Sequence, residues 1–507
     1  MNSTTRKIAT FLTITALGTA VFPLTANQVH AATYVTNIAA TTTQLNQQQI
    51  EAAIKDLNSL GIMNGYADQS MGEHRAITRA ELASLVFKTF NLESKTGETV
   101  ELTDFNSNAW YAPYASKLVE LGIMQANDGQ FNPQTQVSDA ELEQVVSKAM
   151  QRDVKSVHHW MSEFYSENGT ATRGETAVLL QTAHQAIPSE QAQIKSVRSL
   201  NAITLIVTFD KPLTAANEAF AKAQTDFAFS GGLTLTNMPR LKTGSIATYI
   251  VPTSVQDAGE VYNLTYKGQD AGSFEGSGTK INMTTVSQVT NDTFEIEALQ
   301  VNSVVDYGYI ISAYSGGRGA NAFVLNDQEQ AGGKTYQIIS SMQARQVVIT
   351  PEGGEPIVAR YVPFTQSTDG KQEPKFRLPE GQTLKSGVTY TVSSDWANIE
   401  NASFTAKSFD PLVVASAQAV SETSIEVTLD QDPGDELFSG RSVTLTSPSG
   451  DVLTATYKYS SRKGATGVFD LTNDGKLTPG TTYTINPVGD WSIASSVTLT
   501  PGVKEAV

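Results

Sequence analysis

Two arginines stand where a helix should disfavour them. Arg79 lies in Ile77-Thr78-Arg79-Ala80-Glu81-Leu82 and Arg173 in Ala171-Thr172-Arg173-Gly174-Glu175-Thr176. A Thr followed three residues later by Glu is a capping box, in which the hydroxyl takes the N3 amide and the carboxylate returns to the N-cap amide. Thr78 with Glu81, Thr172 with Glu175, and Ser138 with Glu141 all fit. The arginines then fall on the first helical position, where the macrodipole favours acids. A bound anion, held jointly by guanidinium and first-turn amides, would compensate. The alternative for Arg79 is an ion pair with Glu73 or Asp68.

The elements that must position these residues recur. Leu57-Asn58-Ser59-Leu60-Gly61-Ile62-Met63 returns as Leu118-Val119-Glu120-Leu121-Gly122-Ile123-Met124. Gly61 and Gly122 sit where a helix ends, which predicts a left-handed C′ residue. A loop follows, such as Asn127-Asp128-Gly129-Gln130-Phe131-Asn132-Pro133, then a capped helix. Capped helices are expected over 80–90, 140–150 and 175–186. The unit is helix, glycine stop, turn-rich loop, capped helix, and such repetition governs the organisation of residues 33–188.

Leu-Gly-Ile, Asp-Gly-x-Phe-x-Pro, Thr-Arg-Ala-Glu, and an Asp…Trp opening at Asp104–Trp110 and Asp153–Trp160 together resemble the surface-layer homology (SLH) family of Gram-positive bacteria. Three motifs are expected, at about 45–91, 102–150 and 151–187, the third shortened. The resemblance implies a three-part pseudo-symmetric helical spindle. It also implies non-covalent binding of secondary cell-wall polysaccharide, commonly through pyruvylated N-acetylmannosamine. Its grooves lie between motifs and combine Arg from one with Trp from another. The implied wall-binding residues are Arg79, Trp110, Arg173, Trp160, Gly61 and Gly122. Arg79 could pair with Trp110, for which core packing is the alternative. Gly61 and Gly122 are more often plain helix stops than ligand contacts. Asp139 replaces the arginine of motif two, and motif one lacks the Trp, so one competent groove is expected. Arg79→Ala is then expected to weaken wall binding with the fold intact.

Past Pro188, helical periodicity gives way to alternating strands. Residues 203–209, 293–299 and 424–429 are the clearest, each behind a similar lead. Gly259…Tyr262, Gly387…Tyr390 and Gly480…Tyr483 correspond in position and suggest tyrosine corners. Three all-β units at 192–283, 284–410 and 411–507 resemble bacterial immunoglobulin-like domains. Ser315–Asn321 and Thr365–Gly370 are expected to be surface insertions of the middle one. The fold class is multidomain: an N-terminal α-helical SLH pseudo-trimer (32–190) followed by all-β sandwiches.

Much chemistry is missing. The chain of 507 residues has no cysteine, so it has no disulfide, thiolate site or cysteine nucleophile. All five histidines precede residue 190, which removes Ser-His-Asp hydrolysis and ordinary zinc sites from the β region. His158 and His159 are read as ordinary surface or packing residues. A net charge of −16 argues against nucleic acid. Arg6-Lys7, an apolar run to Leu24, and Val29-His30-Ala31 read as a signal peptide cut after Ala31. No later stretch is long and apolar enough to span a bilayer. No cofactor is implied except calcium at the acidic turn, through Asp430, Asp432, Asp435 and Glu436; a solvated inter-strand turn is the alternative.

These readings combine into a secreted, non-catalytic structural protein of the cell wall or S-layer. The SLH region would hold pyruvylated polysaccharide while the β units make lateral contacts in a self-assembled lattice. A wall-anchored adhesin, whose β units bind an external ligand, is the alternative.

Overall fold

A computed structural model gives the fold and describes residues 47–92, 102–104, 106, 108–161, 169–297, 303–308, 324–363, 373–433 and 438–502. Residues 1–31, read as a signal peptide, the loops 315–321 and 365–370, and Asp435 and Glu436 lie outside the described residues.

The first part is helical: α1 (47–59), α2 (Arg79–Thr89), α3 (Ala112–Glu120), α4 (Asp139–Met150), α5 (Val154–Met161) and α6 (Arg173–Gln185). Their apolar stripes share one core, from Ala53 and Leu57 through Leu82, Leu118 and Val146 to Leu180. Gly61 and Gly122 end α1 and α3 at φ +70° and +68°. The amides of Ile62 and Ile123 return to the carbonyls of Leu57 and Leu118, each at 2.9 Å. This is the Schellman closure that a left-handed glycine permits.

The residues before α2, α4 and α6 close a ring. Ile77 N donates to Ala171 O, Ala171 N to Val137 O, and Val137 N to Ile77 O, at 3.0, 2.9 and 3.0 Å. All three side chains are fully buried. Each link sits within an antiparallel bridge: Ala76 with Thr172, Thr78 with Gln136, Ser138 with Thr170. A ring of three needs all three members, so even the shortened third motif is required for closure.

The β part has three main cores. In the last unit one hydrogen-bonded order runs Ser492–Ala494, Leu412–Ala419, Ser424–Leu429, Thr466–Leu471, Val452–Tyr457, Ser442–Thr446, Tyr483–Pro487, Thr498–Leu499. The middle unit repeats it as Ala397–Asn401, Ile281–Gln288, Thr293–Ile296, Lys375–Arg377, Ile357–Tyr361, Gln346–Pro351, Thr389–Ser393, Ser403–Thr405. Only the first pair in each order is parallel. The first unit has a four-stranded and a three-stranded sheet, without that parallel edge strand. Tyr262, Tyr390 and Tyr483 are buried and act alike. Each phenol accepts the amide five residues upstream, from Asp257, Lys385 and Thr478, at 2.9, 2.9 and 3.0 Å. No helix among the described residues is long and apolar enough to cross a membrane.

Candidate functional site

The helix starts hold the candidate residues, and their amides are already used. Arg79 N donates to Thr135 O at 2.9 Å, Ala80 N to Pro133 O at 3.0 Å, and Glu81 N to Thr78 Oγ1 at 3.3 Å. Arg173 N and Gly174 N likewise go to Arg75 O and Glu73 O, both at 2.9 Å. The expected anion cradle of free first-turn amides is therefore absent at both starts. Ring closure draws a neighbouring chain segment over each helix end, and its carbonyls take the donors.

The arginines bridge repeats. Arg79 Nε donates to Phe131 O at 2.8 Å and Nη2 to Gln125 O at 2.6 Å, both in repeat two, and Nη1 pairs with Glu141. The guanidinium also lies 4.8 Å from the Phe131 ring centroid. Arg173 does the same from repeat three to repeat one: Nε to Met71 O at 3.1 Å, Nη2 to Asn64 O at 2.9 Å, and Nη1 3.7 Å from Glu81. Neither Glu73 nor Asp68 is the partner of Arg79. The cation at the first helical position is compensated by a carboxylate and carbonyls of the next repeat.

This arrangement also settles the caps. Thr78/Glu81 and Thr172/Glu175 form complete capping boxes. Ser138 caps the Glu141 amide, but the return bond is missing. The Glu141 carboxylate has been drawn to Arg79, so the third expected box is only half made.

Where repeat two meets repeat three, Asp139 stands in the arginine's place. Its Oδ1 is buried without a partner. Burial, then the charges of Glu175 and Glu143, push its carboxyl pKa up. Asp139 and Glu175 thus correspond to Arg79 with Glu141 and to Arg173 with Glu81, with the attraction inverted.

The two tryptophans diverge. Trp110, just before α3, is 60% exposed, and its ring meets Tyr111 edge-on at 5.4 Å. It is not core, and it is not among the partners of Arg79. Trp160 is half-buried and its indole N–H donates to Gly244 O in the first β unit at 2.8 Å. An open cavity of about 480 Å3 beside α1 is lined by Lys55, Asn58, Ser70, Met71 and Glu73.

Sequence reasoning missed Phe131, Gln125 and Met71 as partners of the arginines because main-chain acceptors leave no trace in residue type. Asp104 could have been found from its place in the Asp…Trp opening. Its carboxylate takes the Phe131 and Asn132 amides and so holds the loop that Arg79 grips. Of the calcium candidates, Asp432 pairs with Arg462 at 2.7 Å, and Asp430 accepts the Val413 amide at 3.0 Å. No cluster of three or more His or acidic residues suited to a metal occurs among the described residues.

A family model described as the S-layer homology domain matches residues 48–83 and 101–142. Over 301 residues the chain is 28% identical to Middle cell wall protein of Brevibacillus brevis, covering 54% of this chain and 27% of that protein. Over 255 residues it is 24% identical to Surface layer protein of Brevibacillus choshinensis, covering 46% and 23%. The chain thus spans about a quarter of the length of these curated relatives. Among solved structures, surface layer protein SbsC, domains 1–6, aligns at 12% identity over 92% of this chain and 74% of that one, with a TM-score of 0.15. A superposition that low carries no argument about how the units are arranged. Matched repeats and ring closure together identify the helical part as carrying S-layer homology domain sequence, placed ahead of a β-rich region.

Proposed function

We propose that the SLH ring anchors this chain to a secondary cell-wall polysaccharide carrying pyruvyl carboxylates, and that the β units make lateral contacts in a surface array without catalysing a reaction. The observation that carries the reading is Trp110, a largely exposed indole on repeat two, the repeat whose loop is held by Arg79. An indole offers a flat apolar face to a sugar ring together with an N–H donor. In this reading a sugar rests on Trp110 while the ligand carboxylate competes with Glu141 for the Arg79 guanidinium. Such competition keeps each contact weak, and a polymeric wall restores avidity through many anchored copies.

The test is co-sedimentation of the mature chain with purified sacculi, before and after acid extraction of the polysaccharide. Binding to unextracted walls alone is expected. Trp110→Ala should weaken it at least tenfold, whereas Glu141→Gln should retain or strengthen it. Equal binding to extracted walls would refute polysaccharide anchoring. Self-assembly of unbound chain into sheets would support the array, and a monomer with saturable binding to an external ligand would favour an adhesin instead.

A further inference from the structure

Trp110 and Trp160 occupy corresponding openings of repeats two and three, yet among the described residues only Trp160 bonds a distant part of the chain. Its acceptor, Gly244 O, belongs to a loop of the first β unit, residues 241–246. Gly244 N donates in turn to Ser156 Oγ at 3.0 Å. Ser156 is fully buried, and Asp153 holds it through both its amide and its hydroxyl, at 2.7 and 2.9 Å. Arg152 stacks 4.8 Å from the Trp160 ring and donates to the carbonyls of Ser245 and Ile246. Lys211 Nζ adds a bond to His184 O at 3.1 Å.

The other side of the same loop is gripped by the second β unit. Lys242 is 1% exposed, with Nζ 2.6 Å from Asn326 O and 3.1 Å from Glu329. Thr243 N donates to the Tyr307 hydroxyl at 2.7 Å, which donates to Leu241 O at 3.0 Å. Gly244 has φ +75°, and a Cβ there would stand 2.2 Å from Val324 Cγ1 and 3.0 Å from His159 Cδ2. Repeat three, the first β unit and the second β unit therefore meet at one glycine with no room for a methyl group.

We propose that the Trp160 face of repeat three is an intramolecular docking surface, with loop 241–246 as its partner, that fixes the SLH ring at one angle to the β region. Repeat three then serves ring closure and docking, and wall contact is left to the other repeats. A fixed angle makes every wall-bound copy present its β units in the same direction, which a regular array requires and a flexible tether would not provide. The proposal goes beyond wall binding and stands or falls without it.

Small-angle scattering of the full mature chain in solution is the test, with Trp160→Ala and, on the opposite side of the joint, Gly244→Val. Both variants should lengthen the maximum dimension and broaden the distance distribution relative to wild type, with far-UV circular dichroism unchanged. Hydrogen exchange should accelerate at Gly244 and in α5. Gly244→Val should keep wild-type co-sedimentation with walls. A wild-type chain that already scatters as a broad ensemble would overturn the proposal, as would unchanged scattering in Gly244→Val. Loss of wall binding in Trp160→Ala with unchanged scattering would return the indole to the ligand face.

Discussion

Arg441 of the third β unit grips Asp292 of the second through two parallel hydrogen bonds of 2.6 and 2.8 Å. Both residues are buried. Burial alone would raise the Asp292 pKa, but the hydrogen bonds and charge of Arg441, with the charge of Arg377 behind them, hold it down at about 2. The ordinary value is 3.8, so the folded chain binds this proton less readily than the unfolded one. The pair's contribution is therefore complete above about pH 4 and is lost as pH falls through 2. Asp292→Asn leaves a buried guanidinium without its charge partner, a change that costs about 3 kcal/mol. Hydrogen exchange over 412–499 at pH 7 should report that loss, and the gap from wild type should narrow from pH 4 downward. A gap that does not change with pH would rule out the ion pair as its source.

The three tyrosine corners predict three separable effects. Tyr262→Phe, Tyr390→Phe and Tyr483→Phe each delete one acceptor and leave one amide unpaired, worth about 1 kcal/mol. Each should speed exchange at its own amide, that of Asp257, Lys385 or Thr478, and leave the other two as they are. Acceleration at all three sites in any single variant would mean the units open together rather than singly.

Arg79→Ala now carries a different expectation from the one its sequence position suggests. The guanidinium links repeats one and two through two carbonyls and Glu141. Its removal leaves Glu141 half-buried without that partner and should lower SLH stability by about 2–3 kcal/mol. Thermal melting of the full chain, followed by helical circular dichroism, reads this directly. An unchanged helical transition would mean that these bonds contribute nothing to joining the two repeats.

Local rules carried most of the architecture into the sequence. The Thr-x-x-Glu boxes, the Gly stops and the Gly…Tyr spacing depend on residues within a few positions of each other, and the structure forms them as read, apart from Glu141. Partners far apart in the chain left no such trace. Arg79 bonds main-chain carbonyls 46 and 52 residues away, and Trp160 bonds one 84 residues away. A carbonyl is present at every position, so no residue type announces which one is the acceptor. Glu141 fails for the same reason: a local cap competed with a distant cation, and the charge-assisted pair won.

Asp139 tests whether the pseudo-threefold ring is strained at its odd interface. In the other two interfaces an arginine meets the capping glutamate of the next repeat, and here a carboxylate faces Glu175. Burial and the neighbouring acids raise the Asp139 pKa, so the folded chain holds this proton more tightly than the unfolded one. Its effect on stability is therefore unfavourable above the raised folded pKa and fades as pH falls toward the unfolded value. Asp139→Asn removes the charge but keeps the shape, and should raise the helical melting temperature at pH 7. The residue is only partly buried, so solvent screening keeps the gain small. Below pH 4 the two proteins should melt together. Asp139→Arg, which restores the pattern of the other interfaces opposite Glu175, should gain more than Asp139→Asn at pH 7. If Asp139→Asn melted lower than wild type at pH 7, the carboxylate would be holding the interface together, and the charge conflict inferred from the other two repeats would be refuted.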